Sequence, residues 1–174
     1  MLSRVLPHLP HPLSTRGFAS SSITLSLAPP FTRETATKKV KMAENLWNTM
    51  DAKKVSMAYT PDSIWRNRDE FFQGREAIED FLTKKWEKET NYKLKKRLFA
   101  FEGNRIAVQF WYEYYSETEK CWKRTYGLEH WTFAPDGLME KRHMSGNEIS
   151  IKEEERWFKD GVDVDKVQVS ERDG

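Results

Sequence analysis

The chain has a single cysteine, Cys121, so an internal disulfide is excluded and the fold must hold by packing and hydrogen bonding, as suits a reducing interior. No apolar run reaches the roughly 18 residues that a membrane-spanning helix needs, and no membrane partner is expected. There is no P-loop, no Gly-x-Gly-x-x-Gly fingerprint and no Gly-x-Ser-x-Gly elbow, which removes the common phosphate-binding, dinucleotide-binding and serine-hydrolase signatures. Histidine is scarce. His8 and His11 stand near the start of the chain, which leaves His130 and His143, too few for the three or four convergent ligands of a zinc site. No metal and no cofactor is therefore expected. The net charge is only +2, and Arg4 and Arg16 account for it. Nucleic-acid binders carry a basic excess or stripe. The one basic run, Lys93 to Arg97, alternates with apolar residues as a solvated strand face does, so no nucleic-acid partner is expected.

Acidic residues are missing from residues 1–30, and Glu34 is the first carboxylate. The same stretch holds Pro7, Pro10, Pro12, Pro29 and Pro30, two arginines and a serine-rich run, the composition of an organelle-targeting segment. Arg16-Gly-Phe-Ala-Ser resembles a mitochondrial processing site with cleavage after Phe18. The early prolines oppose the amphipathic helix of a usual presequence. Residues 1–30 are accordingly read as a disordered leader directing the protein to the mitochondrial matrix, with an unstructured extension on a cytoplasmic protein as the alternative. Residues 31–158 form the folded domain, and the polar residues 159–174 a flexible tail.

Aromatic residues are plentiful. Seven Trp and ten Phe in 174 residues let few but large side chains fill a core, although only 38% of the chain is hydrophobic. Ala36, Val40, Ala43, Trp47 and Met50 recur at helical spacing behind Thr32, a suitable N-cap. Asp51 can cap a short second helix. Ser63 to Arg68 reads as a strand, and a third helix runs from Arg75 to Glu89. Four strands follow: Leu94–Phe101, Arg105–Tyr115 after a Gly103-Asn104 turn, Trp122–Phe133, and Leu138–Asn147 after Pro135-Asp-Gly137. A short helix is expected at Ile151–Phe158. Helices followed by a run of antiparallel strands make an α+β arrangement with the helices on one face of the sheet.

Pairing these strands places the candidate site. A three-residue Pro-Asp-Gly loop with Gly137 in the left-handed conformation sets Ala134 opposite Leu138, and a regular ladder then sets Glu129 opposite His143, Trp131 opposite Lys141 and His130 opposite Arg142. The Gly103-Asn104 hairpin gives a buried face of Phe101/Ile106 and Phe99/Val108. A four-residue loop before Trp122 sets Tyr112 opposite Thr125, Phe110 opposite Gly127 and Val108 opposite Glu129. Glu129 and His143 would then share the core face with Tyr112 and Trp131. A carboxylate can fix an imidazole tautomer and raise its basicity, so the two could form a general acid–base pair acting beside a carbonyl. They could equally be a cross-strand pair that satisfies itself. Trp65-Arg-Asn-Arg68 is the second constellation. Two cations and an amide flanking a tryptophan could bind an anionic or carbonyl group. Alternation sends Trp65 and Asn67 one way and Arg66 and Arg68 the other, so not all four can line one pocket. The alternative is Trp65 in the core with the arginines paired to Asp62, Asp69 or Glu70.

The phrases FTRETATKKVKMAENLWNTMD, AYTPDSIWRNR, FFQGREAIEDFLTKKW, GNRIAVQFWYEY and RTYGLEHWTFAPDGLMEKRHMSGN resemble an uncharacterised branch of the nuclear transport factor 2-like (SnoaL-like) superfamily. The resemblance runs from about Pro30 to Phe158. It implies a cone: a strongly curved antiparallel sheet wrapped around N-terminal helices, often dimerising through its outer face. It also implies a pocket in the cone, which relatives use for cofactor-free lyase or isomerase chemistry or for binding alone. The expectation is thus a homodimer that binds a small apolar or aromatic carbonyl compound. Trp65, Asn67, Tyr112 and Trp131 would contact the ligand, with His143 as base and Glu129 orienting it. The alternative is a non-catalytic dimerisation or interaction module using an outer aromatic patch of Trp111, Glu113 and Tyr115.

Overall fold

The computed structural model describes residues 27–170. The segment read as a leader lies, up to residue 26, outside them. Helix α1 spans Arg33–Trp47 and starts where expected: the Thr32 hydroxyl accepts from Thr35 N–H (3.2 Å), and Thr35 Oγ1 accepts from Thr32 N–H (2.8 Å). Its buried stripe includes Ala36, Val40 and Trp47. Asp51 caps the short α2, Ala52–Ser56, by accepting from Lys54 N–H at 3.0 Å. Helix α3, Arg75–Lys88, buries Ile78 and Leu82.

These helices cover one face of a six-stranded sheet in the order β2-β1-β6-β5-β4-β3, with β1 (Tyr59–Asn67), β2 (Glu70–Gln73), β3 (Glu89–Glu102), β4 (Arg105–Ser116), β5 (Cys121–Phe133) and β6 (Met139–Ile151). All neighbours are antiparallel except β1 and β6, which run parallel. The edge strand β2 was not anticipated. It is four residues long, and its alternation is masked by the consecutive Phe71 and Phe72, of which Phe71 stays exposed. The expected helix at Ile151–Phe158 is absent: β6 continues to Ile151, and a single 3-10 turn, Glu153–Glu155, follows.

The β4–β5 register is as expected, with Val108 facing Glu129, Phe110 facing Gly127 and Tyr112 facing Thr125. Gly127 is required there. A Cβ on it would stand 1.9 Å from the Phe110 ring, so the ring lies directly on the strand.

Two bulges change the rest. In β3 the register shifts between Leu98 and Ala100, so Leu98 rather than Phe99 faces Val108, and Phe99 is 72% exposed. In β6 the register shifts beside the turn: Phe133 faces Met139, but Thr132 faces Lys141. Glu140 is the extra residue. Beyond it Glu129 faces Met144, His130 faces His143 and Trp131 faces Arg142. A one-residue slip sends every later side chain to the opposite face. Glu140 and Lys141 both stay in water, while Met139, Arg142 and Met144 turn inward. The expected Glu129–His143 pair is therefore not formed.

The outer face carries a second correction. Trp111 and Glu113 are each only 1% exposed, because the chain after β6 crosses back over them. The Glu113 carboxylate accepts from the backbone N–H of Trp157 (3.0 Å) and of Phe158 (2.9 Å), and from Arg124 Nε at 2.7 Å. The guanidinium of Arg124 sits 3.6 Å from the Trp157 ring, and that of Arg156 sits 3.6 Å from the Trp122 ring. The segment read as a tail is described to residue 170. A 3-10 turn, Val164–Lys166, docks on β3, where Lys95 Nζ donates to the carbonyls of Val164 (3.0 Å) and Val167 (2.5 Å). Of the patch expected as an outer interface, Trp111 and Glu113 are thus buried under the protein's own C-terminal strap, and Tyr115, packed on Trp122, stays half-exposed.

Candidate functional site

The core face converges on a buried charge cluster. Glu129 on β5 accepts from Lys96 Nζ on β3 (2.7 Å), from Arg142 on β6 (2.5 Å) and from the indole N–H of Trp131 (2.7 Å). Arg142 also donates to Asn67 Oδ1 at 3.2 Å, and its guanidinium lies 4.5 Å from the Trp65 ring and 4.8 Å from the Trp47 ring. Burial would push the Glu129 carboxyl up, but Arg142 and Lys96 together outweigh it and hold the group at about 2. Burial pulls the Lys96 ammonium below its ordinary value, and Arg142 adds to the fall while Glu129 opposes it. A carboxylate held this low is a poor base at neutral pH, so Glu129 organises the interior. The space left among these groups is about 10 Å³, at most one water.

Above this floor the cone opens into a cavity of about 520 Å³. Asn67 and Tyr112 stand at the junction and line both the floor and the opening. Arg68 follows Asn67 with φ 59°, a left-handed backbone that few non-glycine residues adopt. Simple alternation would send Arg68 to the outer face. The turn instead brings its guanidinium to the mouth, where it donates to Gly146 O and to Thr125 Oγ1 (3.4 Å) and lies 3.5 Å from Glu148. Arg66 donates to the carbonyls of Arg68 (3.0 Å) and Met144 (3.1 Å), not to the acidic partners expected for it.

The opposite wall comes from α3 and the start of β3. Lys85 Nζ lies 2.5 Å from Glu89 Oε2 and 3.5 Å from the Tyr112 hydroxyl, above the Tyr112 ring at 4.6 Å. Burial alone would pull Lys85 down, but Tyr112 and Glu89 beside it leave it raised. Burial pushes the Glu89 carboxyl above its usual range, with Lys85 opposing, Glu148 adding to the rise and Arg68 opposing again. Glu148 accepts from the Tyr114 hydroxyl at 2.7 Å. Phe72 and Phe81, stacked at 4.9 Å, give the mouth an apolar side.

Of the residues expected to form the site, Asn67 and Tyr112 line the mouth. Trp65 is fully buried behind Phe72 and Phe81 and supports them. Trp131 is committed to Glu129 on one side and faces a different cavity on the other. His143 lies on the outer face, where burial and the neighbouring Arg66, Lys141 and His130 hold it below its ordinary value. Arg68 belonged to the second constellation, but alternation placed it on the side away from Asn67; Lys96, Arg142, Lys85 and Glu89 were missed. For Lys96 a signal existed, because alternation puts it on the same face as Leu94, which is buried; the basic run around it obscured this. Lys85 and Glu89 stand at i and i+4, an ion-pair spacing. Nothing local marks the bulge that turns Arg142 inward.

The family described as "Protein of unknown function (DUF1348)" matches residues 29–159. The chain belongs to that family. No curated protein is significantly similar to it in sequence. Solved structures similar in fold include the epoxide hydrolase/cyclase-like enzyme SalBIII, of pyran ring formation in the polyether salinomycin, with TM-score 0.58 and 13% identity over 66% of this chain and 92% of that one. A putative SnoaL-like polyketide cyclase from Shewanella denitrificans has TM-score 0.58 and 15% identity over the same shares. A hypothetical protein with a ketosteroid isomerase-like fold from Catenulispora acidiphila, in complex with trimethylamine, has TM-score 0.57 and 9% identity over 62% of this chain and 84% of that one. At such identities the likeness establishes the fold. This DUF1348 member has the α+β cone of the nuclear transport factor 2-like superfamily, in agreement with the sequence resemblance.

Proposed function

We propose that this DUF1348 member binds a small carbonyl compound at the mouth of the cone and shifts a proton on the carbon beside the carbonyl. The observation that carries this reading is the convergence of Arg68, Lys85, Tyr112 and Asn67 on one cavity that also holds Glu89, a carboxyl whose proton affinity is raised by burial. In such a reaction Glu89 accepts the α-proton, the C–H electron pair becomes the enolate C=C, and the negative charge moves to the carbonyl oxygen. Arg68, Lys85 and the Tyr112 hydroxyl supply donors for that oxygen, and Asn67 orients the substrate. The raised affinity makes Glu89 a stronger base than an ordinary glutamate. Phe72 and Phe81 accept the apolar body. Chemistry of this type accords with the likeness in fold to a cyclase-like enzyme and a putative polyketide cyclase.

The test needs no knowledge of the natural substrate. Cyclic ketones and 1,3-diketones in D2O exchange their α-protons for deuterium when a base acts on them, which proton NMR follows directly. Exchange should exceed the buffer rate, fall at least about 100-fold in Glu89→Gln, and rise with pH as Glu89 ionises. Exchange no faster than buffer, or unchanged in Glu89→Gln, would end this assignment.

The filled interior of the cone is the observation that favours the alternative, a non-catalytic module of the same fold. For either reading we propose a homodimer through the part of the outer face that the strap leaves open, where Leu128 is 53% and Ile149 46% exposed. Sedimentation should give a dimer that Leu128→Asp dissociates, and a monomeric parent chain would count against it.

A further inference from the structure

A second cavity of about 520 Å³ lies on the other side of the molecule and shares no wall residue with the mouth. Met42 and Leu46 of α1, Tyr59 of β1, Trp131 and Phe133 of β5 and Met139 of β6 form its walls. Its size is that of a small-molecule site, and these walls are almost wholly apolar. At its rim stands Lys39. The Lys39 ammonium donates to Gly137 O at 2.6 Å and lies 5.1 Å from the Phe133 ring, and it forms no ion pair among the described residues. Burial pulls this ammonium below its ordinary value, and Asp136 on the adjoining turn opposes the fall only at longer range. A cation half removed from water, without a carboxylate partner and beside apolar walls, presents two complementary halves of one ligand. An apolar body would displace water from the methionines and aromatic rings, and an anionic head would complete the coordination of Lys39.

We infer that this cavity binds a small apolar monocarboxylate, with its hydrocarbon part against Met42, Leu46, Trp131 and Met139 and its carboxylate on Lys39 Nζ. The site is independent of the chemistry at the mouth. The polarity of the rim selects the anion: a neutral alcohol of the same length gains only the apolar contacts, and an ammonium meets a like charge.

The methionines provide local probes. Met42 and Met139 line this cavity, whereas Met144 lines the floor below the mouth and Met57 is exposed. The full chain, labelled with 13C at its methionine methyls, is titrated with octanoate, and with octan-1-ol and octylammonium as controls. Octanoate should shift Met42 and Met139 saturably while Met144 and Met57 stay in place, and octylammonium should bind at least about tenfold more weakly. Lys39→Met, which keeps the apolar stem, should weaken octanoate about tenfold toward the level of octanol. Met42→Glu, at an exposed rim position, should abolish octanoate binding while retaining or improving that of octylammonium. Unmoved Met42 and Met139 signals at millimolar octanoate would overturn the inference. So would shifts confined to Met144, equal binding of the two ions, or indifference to Lys39→Met. A cavity already occupied by residues 1–26 or by a second copy of the chain would respond to octanoate only after that segment was deleted or the protein diluted, and this result also overturns it.

Discussion

Replacing Glu129 by Gln tests the account of the cone interior most directly. The change is nearly isosteric, so it leaves the packing in place and removes only the negative charge. Two cations, Lys96 and Arg142, with 1% and 3% side-chain exposure, would then remain buried without their counter-ion. The Gln amide would also have to turn its NH2 toward donors on one side or the other. Breaking a buried ion pair by removing one partner costs about 3–5 kcal/mol. Proton linkage gives an independent figure. A carboxyl moved from 4.5 to about 2 on folding contributes about 3 kcal/mol at about 1.4 kcal/mol per pH unit of displacement. With a urea dependence of about 2 kcal/mol per M, the midpoint at pH 7 should fall by about 1.5–2.5 M. The sign with pH follows from the depressed folded value: the contribution is complete above about pH 4.5 and is lost as pH falls toward about 2. The parent chain should therefore lose stability over this window more steeply than Glu129→Gln, and the gap between them should narrow. Urea unfolding followed by near-UV circular dichroism at pH 7, 4.5 and 3 measures both effects. A gap under about 1 kcal/mol at pH 7, or one that stays constant down to pH 3, would refute the reasoning.

Gly127→Ala should cost about 3 kcal/mol or more, because its methyl would overlap the buried Phe110 ring and neither strand can retreat; a thermal shift of under about 2 °C would show that the ring can move. His143→Ala, on the outer face, should change stability by less than about 1 kcal/mol and leave carbonyl exchange at the mouth intact, so loss of exchange in this variant would restore histidine to the site. Glu113→Gln should loosen the C-terminal strap, with the amides of Trp157 and Phe158 exchanging at least about tenfold faster by hydrogen-exchange mass spectrometry while those of β5 are unchanged. Unaltered exchange at both amides would mean that the carboxylate does not hold the strap.

The α+β order, the caps at Thr32 and Asp51 and the β4–β5 register were legible because each depends on neighbours in the chain. Helical spacing, capping residues and tight turns are local signals, and the Tyr112, Phe110 and Val108 pairings follow once the loop length is right. The inward placement of Asn67 and Tyr112, which line the cavity at the mouth, follows from the same local alternation. The Glu129–His143 pair was not, because it required an unbroken ladder across the last hairpin. Glu140 interrupts that ladder, and with period-two geometry one extra residue exchanges the faces of Lys141, Arg142 and His143.

By itself, then, the sequence determined which elements form, their order, and the aromatic supply of the core. Tertiary structure decided which charges are buried together. A bulge is affordable where it brings Arg142 to the buried Glu129 carboxylate and leaves Glu140 and Lys141 in water, a preference set by residues distant in the chain. The left-handed turn at Arg68 likewise acquires its meaning only when α3 places Lys85 and Glu89 across the same opening. Local periodicity specifies the strands, but desolvation and charge pairing across the cone select the register and hence which side chains meet in the interior.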